Sequence, residues 1–381
     1  MMANIINRLF AAVNRIVPKD PHRVVFCSFP DMSDNAQALY AYIAAHPGGH
    51  SEKLVWLLED PAAVSLSVGK AVKKHSLRGV WHFWRAGYVF HTHGIFGNVA
   101  APHQINVSLW HGMPLKTIMQ LDATHAGAPD FGFTYTIATS PLFQKIMGQA
   151  FGCPPQRCLL TGLPRNDLLF DPPPLNELMK DDLPDVDHMV LWMPTYRKSV
   201  IGDIREDGTV SQEGIGFLSS EDLARLNTFL ADRRLLLIIK VHPMQDMTPF
   251  AGMEHSHIRV LSGISGALYP LVGRADALLT DYSSVYIDYM LLDRPIGFVT
   301  DDWEAYRDSR GFVFDDPIAM MPGPFITDYH QLTAFLDDVL AGEDSFREQR
   351  RALTKRFHTH QDGHSCNRLL HEIHWIKKYE K

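Results

Sequence analysis

Five short polar groups in this chain carry the residue types needed to handle a phosphate ester, and each follows an apolar run. The clearest is LLTDYSSVYIDYMLLDRPIGFV, residues 278–299, where Thr280, Asp281, Ser283 and Ser284 sit between an apolar strand pattern and an amphipathic helix pattern. The unpaired N–H groups and positive dipole end of such a helix start suit an anion. After the run 105–110 comes His111-Gly112-Met113-Pro114-Leu115-Lys116. It combines a tight-turn glycine, a helix-starting proline, a cation and a histidine that titrates near neutrality. After 158–161 comes Gly162-Leu163-Pro164-Arg165-Asn166-Asp167, whose arginine can grip a phosphate with two donors. Pro194-Thr195-Tyr196-Arg197 follows 189–193, and Lys240 with His242-Pro243 closes 235–241.

Singly, each group has an ordinary reading. His111 can cap a turn, Arg165 and Asp167 can pair to secure a domain end, and strand-end lysines are often merely solvated. Taken together they point His, Lys, Arg and hydroxyl groups toward one cleft, which suits a polyanionic substrate. Other patterns carry less. His91 and His93 share a strand face, and His358, His360 and His364 cluster near the end, but no carboxylates stand at metal-ligand spacing beside them. Both groups read as structural or surface histidines. No dinucleotide fingerprint, Walker loop or nucleophile elbow is present. The four cysteines are too few for a disulfide framework, and Cys153 and Cys158 have no second pair to complete a zinc site.

The elements that position these groups alternate. Strand patterns cover 24–29, 53–58, 88–92, 105–110, 134–138 and 158–161, with helix patterns at 35–45 and 141–150. The proline-rich, acidic stretch DPPPLNELMKDDLPDVD at 171–187 breaks the rhythm and reads as a linker. Strand patterns resume at 189–193, 235–241, 277–280 and 295–299. Ser219-Ser220-Glu221-Asp222 opens a helix, and the chain from about 329 reads as helical throughout. Alternation of this kind predicts parallel sheets covered on both faces, in two doubly wound domains at 20–172 and 186–381. A ligand then belongs in a cleft at the carboxyl ends of the strands.

With 381 residues, 46% hydrophobic, the chain has enough apolar material for two cores. A net charge of −7 argues against a general nucleic-acid binder. No apolar run is long enough to span a bilayer. Residues 1–19 place Ile5, Ile6, Leu9, Phe10, Val13, Ile16 and Val17 at helical spacing among Arg8, Arg15 and Lys19. The pattern fits a helix packed on the protein's own core and, equally, an amphipathic helix lying on anionic lipid.

Five motifs occur in order: Trp110-His111-Gly112-x-Pro114-Leu115-Lys116, Thr161-Gly162-x-Pro164-Arg165-x-Asp167, Pro194-Thr195-Tyr196-Arg197, Lys240-x-His242-Pro243, and Thr280-Asp281-Tyr282-Ser283-Ser284 with Asp288. With Tyr306-Arg307, Arg310-Gly311-Phe312, Pro322-Gly323-Pro324 and Asp362-Gly363 through Arg368, this order resembles the CDP-glycerol glycerophosphotransferase family of teichoic-acid synthesis. The resemblance covers about residues 105–368. It implies a GT-B architecture, two Rossmann-like domains facing a cleft, and transfer of glycerol phosphate from CDP-glycerol to an acceptor hydroxyl with release of CMP. His111 resembles the family's catalytic base, with His242 assisting at the diphosphate. Trp110, Gly112, Met113, Pro114, Arg165, Pro194, Thr195, Lys240, Val241, Ser283, Ser284 and Asp288 resemble its donor-binding positions. Met113 departs from the family, which often has threonine there.

No cofactor or metal is implied, since arginine, lysine, histidine and a helix start can stabilise the transferring phosphate. The implied acceptor is a lipid-linked glycan or polymer, which tips the residue 1–19 helix toward an anionic membrane. The expected setting is cytoplasmic, peripheral on the inner face of the cell membrane, in teichoic-acid or capsule polymer synthesis. The chain's modest length leans toward priming or single addition. CDP-ribitol as donor, a sugar-nucleotide glycosyltransferase on the same architecture, and a binding module without transferase activity remain as alternatives. Oligomeric state is not legible.

Overall fold

Parallel strands dominate because each βαβ crossover lays a helix on the sheet, and the strands between read as continuous apolar runs. The computed structural model describes residues 2–45, 53–96, 101–122, 131–179, 183–194, 216–241, 255–262, 268–300, 303–304 and 311–375, with side chains from residue 9. The chain forms two compact units.

The first unit comprises residues 1–113, 119–168 and 358–381. Its strands are β1 (Asp20–Cys27), β2 (Leu54–Leu58), β3 (Lys70–Lys73), β4 (Ala86–His91), β5 (Ile105–Ser108), β6 (Tyr135–Ala138) and β7 (Cys158–Leu160). All pair parallel, in the order β3-β2-β1-β4-β5-β6-β7. Strand order reverses between β1 and β4, where Phe26 lies beside Phe90 and Cys27 beside His91. Val24, Val25, Phe26, Leu54, Trp56, Leu57, Val89 and Phe90 have almost no exposed surface, so both sheet faces are covered.

The second unit comprises residues 114–118 and 169–357. It holds β8 (His188–Met193), β9 (Leu235–Lys240), β10 (Ile258–Leu261), β11 (Ala277–Thr280), β12 (Ile296–Val299) and β13 (Phe325–Ile326), parallel in the order β10-β9-β8-β11-β12-β13. Its switch point lies between β8 and β11. Ser219 caps the helix Ser220–Asp232 in a reciprocal capping box with Asp222, as the sequence predicts.

The boundaries depart from the expected 20–172 and 186–381 in two ways. The C-terminal segment joins the first unit, because Asp167 accepts the backbone N–H groups of Ser365 and Cys366 at 2.7 and 2.8 Å. Arg368 Nε also donates to the Thr161 carbonyl at 3.1 Å, and Trp375 packs on Tyr88. Gly162 needs its φ of +78°, and a Cβ there would lie 2.6 Å from Ser365 Oγ. The second departure is residues 114–118, which belong to the second unit. Lys116 pairs with Phe312, and Thr117 N–H donates to the Gly311 carbonyl at 2.9 Å.

Three further differences concern elements. The C-terminal region is not one continuous helical stretch but Tyr329–Ala341, Arg347–Phe357 and Ser365–Glu372, the first stopped by Gly342 at φ +72°. The helix after the Thr280–Ser284 turn is Val285–Tyr289 alone, buried at every residue and therefore not amphipathic. Residues Met2–Ile16 do form a helix, and Phe10 packs on Phe83, Trp84 and Phe96 of the first unit. Leu9 and Ile16 on the same helix stay 65% and 79% exposed.

Candidate functional site

The first unit gathers its polar residues at the carboxyl edge of its sheet, around the β1/β4 switch point where an open α/β sheet forms a ligand crevice. Beyond β5 the backbone turns sharply. Trp110 takes φ +48°, a left-handed conformation costly for a bulky residue, and Gly112 takes φ +128°.

Two side chains hold this turn. The buried Asn35 amide donates to the carbonyls of Leu109 and Trp110 at 3.1 and 3.2 Å, while its oxygen accepts the Arg165 backbone N–H at 3.1 Å. Arg165 Nη1 donates to the His111 carbonyl at 2.9 Å and to Asp34 Oδ1 at 2.7 Å. Arg165 therefore pairs with Asp34, whereas Asp167 caps the helix Ser365–Glu372. The sequence reading gave Arg165 a donor-gripping role; the structure gives this guanidinium protein partners and a hold on the His111 backbone.

His111 sits between aromatic rings. Trp110 lies 3.9 Å from it, centroid to centroid, and His93 stacks on it at 4.5 Å with only 9° between planes. Burial, with the nearby His93 and Arg165 charges, lowers the His111 pKa to about 3, partly opposed by a hydrogen bond to the Thr92 backbone. The imidazole is therefore neutral at physiological pH. Its Nδ1 is buried without a hydrogen-bond partner among the described residues. Met113 and Pro114 are both buried, and methionine offers no hydroxyl at position 113.

His91 and His93 were set aside by the sequence reading, and the structure brings both to this edge. His91 ends β4, wholly buried, and its Nδ1 accepts the Gly94 N–H at 3.0 Å. Burial lowers its pKa to about 4. His93 is exposed, and its Nδ1 lies 2.8 Å from Thr92 Oγ1. Asn35 was also missed. Its only sequence signal is a polar residue in the first turn of a helix that follows β1.

The second unit places Pro194 after β8, Lys240 and Val241 at the end of β9, and Ser283 and Ser284 after β11. Lys240 is nearly buried, donates to the Val241 carbonyl at 2.5 Å and the Ser262 carbonyl at 3.3 Å, and has its pKa lowered to about 8 by burial. Ser283 and Ser284 are partly open, and Ser284 makes no side-chain capping bond to the short helix it precedes. Thr280 Oγ1 donates to the Met193 carbonyl at 2.8 Å, tying β11 to β8. Asp288 is fully buried, and its Oδ2 accepts the Tyr269 hydroxyl at 2.5 Å. The carboxylate expected to meet a donor hydroxyl thus faces inward onto a tyrosine. Thr195, Tyr196, Arg197 and His242 lie outside the described residues. Among the described residues, no three His, Cys, Asp or Glu side chains are grouped to hold a metal ion.

Two doubly wound units, each with polar residues at the carboxyl ends of its strands, define an α/β protein with two parallel sheets. The family model described as CDP-glycerol:poly(glycerophosphate) glycerophosphotransferase matches residues 9–375, and the chain belongs to that family. The enzyme class expected from the motifs, a CDP-alditol phosphotransferase, holds at this level.

Relatives include the teichoic acid glycerol-phosphate transferase of Staphylococcus aureus, 25% identical over 94% of this chain and 95% of that protein. The teichoic acid ribitol-phosphate primase of Bacillus spizizenii is 23% identical over 94% and 92%. The chain spans only 50% of the Staphylococcus epidermidis poly(glycerol phosphate) polymerase, at 25% identity. In structure the chain is similar to the wall teichoic acid polymerase TagF, with TM-score 0.77, 22% identity, and coverage of 98% of this chain and 93% of that one. That likeness concerns the fold.

The buried histidines make the first unit acid-sensitive. An unfolded His91 binds a proton near pH 6.5, whereas the folded one resists to about pH 4. Stability is therefore full above pH 6.5 and declines as pH falls toward 4, by about 3 kcal/mol in the limit for one such group. Thermal melts from pH 7 to 4.5 should show a falling Tm. In His91→Asn, which can still accept the Gly94 N–H but does not titrate, the fall should be shallower. Identical slopes in the two proteins would contradict this.

Proposed function

We propose that the protein moves glycerol phosphate from CDP-glycerol to a hydroxyl of a lipid-linked glycan or polymer, releasing CMP, in synthesis of a teichoic-acid-like or capsule polymer. The observation that carries the reading is His111, a neutral imidazole fixed at the strand-end turn by Arg165 and Asn35. It takes the acceptor's proton as that oxygen attacks the β-phosphorus, and the bond to CMP breaks. A base so placed contributes about a hundred- to ten-thousand-fold in rate.

The remaining residues divide by what they touch. In a GT-B arrangement, Gly112, Pro114, Pro194, Thr195, Lys240, Val241, His242, Ser283 and Ser284 meet the donor. Arg165 and Asp288 hold those segments in shape through Asp34 and Tyr269. His242 stabilises charge on the departing CMP. No metal is required in this scheme, because the cationic and N–H groups supply the needed field. A histidine variant of TagF solved after soaking with CDPG supports a CDP-linked donor. CDP-ribitol stands as the second reading, favoured by the ribitol-phosphate primase among the full-length relatives.

The test is CMP release measured with CDP-glycerol and with CDP-ribitol, each with a lipid-linked disaccharide. His111→Ala should lower kcat by about a hundredfold or more, with little change in donor affinity. Near-normal CMP release by a folded His111→Ala enzyme would remove His111 from the base role.

The protein works at the inner face of the cytoplasmic membrane in this reading. Among the described residues, no helix is long and apolar enough to cross a bilayer. Exposed Leu9 and Ile16, beside Arg15, supply an amphipathic contact with anionic lipid, while Phe10 and the buried Asn14 hold the helix to the first unit. Leu9→Ser with Ile16→Ser should weaken binding to anionic liposomes without lowering Tm. Unchanged liposome binding would sink the membrane assignment.

A further inference from the structure

We propose that His93 is a positioning residue for His111, fixing the plane of that imidazole by stacking face to face against it. The inference rests on the reading of His111 as the base. A base works only when its lone pair points along the approach of the hydroxyl, and small misalignments are costly in rate. Arg165 and Asn35 fix the His111 backbone, and a hydrogen bond to the Thr92 backbone anchors the imidazole at one point, which leaves the tilt of its plane to the rings around it.

Two rings perform that task. Trp110 is 3.9 Å away, tilted by 31°, and is itself held edge-on by Phe151 at 5.0 Å. His93 lies 4.5 Å away with planes 9° apart, so it is the parallel surface that selects one ring orientation.

His93 is built to be such a surface. It stands two residues beyond the end of β4, where the neighbouring His91 Nδ1 accepts the Gly94 N–H and shapes the turn. Its own Nδ1 is bonded to Thr92 Oγ1 at 2.8 Å. The Thr92 oxygen in turn accepts the Phe29 N–H at 3.4 Å, and the Phe29 ring meets His93 edge-on at 5.8 Å and 74°. Loops after β1, β4 and β5 therefore converge on one column of rings, Phe29, His93, His111 and Trp110. His93 and Phe29 form the exposed end of this column, whereas Trp110 at its other end is buried. A core-packing role does not account for a polar ring at that place.

The experiment measures kcat, donor KM and Tm for His93→Ala, His93→Phe, His111→Ala and the double His93→Ala/His111→Ala enzyme. CDP-glycerol is the donor, or CDP-ribitol if only that is turned over, with a lipid-linked disaccharide as acceptor. His93→Ala should lower kcat about tenfold or more with donor KM and Tm nearly unchanged. His93→Phe, which keeps a flat ring, should restore kcat to within about threefold of the parent. On the His111→Ala background, His93→Ala should add no further loss.

Parent-like kcat in His93→Ala would overturn the proposal while leaving the base assignment intact. So would equal losses in His93→Ala and His93→Phe, or a full additional loss in the double variant, since each would mean that His93 acts independently of the His111 ring plane. Parent-like kcat in His111→Ala would overturn the base assignment and this proposal with it.

Discussion

Everything at the carboxyl edge of the first unit depends on one buried clasp, in which Arg165 and Asn35 grip the backbone leaving β5. Arg165 is 6% exposed and Asn35 fully buried, so their polar groups need protein partners. Asp34 supplies the countercharge, and the carbonyls of Leu109, Trp110 and His111 accept the remaining bonds. A buried network of this kind favours one geometry, which makes it suited to hold a strained turn. Trp110 at φ +48° is that strain, and it turns the His111 ring onto His93. Desolvation then keeps His111 neutral. Backbone strain, buried polar pairing and a depressed pKa are successive consequences of a single local packing decision.

Much of the architecture was legible because fully covered strands advertise themselves. β2, β4, β9, β11 and β12 are buried at every residue, and each reads as an apolar run, closed in β4, β9 and β11 by one polar residue. The strands missed were β3, β10 and β13, all at sheet edges. β3, Lys-Ala-Val-Lys, buries Val72 alone, and β13 has only two residues, so neither carries a pattern. The C-terminal segment was assigned to the wrong unit for a related reason. What places it is a carboxylate accepting two backbone N–H groups from 198 and 199 residues away, which leaves no periodic trace.

The site was legible in its residue types and less so in its pairings. Ordered motifs were enough to mark His111, Lys240 and the two serines, since strand ends are where a doubly wound sheet exposes chemistry. They did not reveal that Arg165 would find Asp34 across 131 residues, or that Asp288 would turn inward to Tyr269. His93 looked like one of two histidines on a strand face. Only the meeting of three loops shows it lying flat on His111. Long-range polar pairs are set by topology, and a linear pattern carries the members without the match.

The central claim is that the fold holds His111 as a neutral imidazole. Its most direct test is an NMR titration of the protein with labelled histidine, the His111 resonance being assigned by its loss in His111→Ala. This ring should show no protonation step as pH falls from 8 to 5, because burial and the neighbouring positive charges hold its pKa at about 3. A midpoint near 6.5, the ordinary value for histidine, would contradict it.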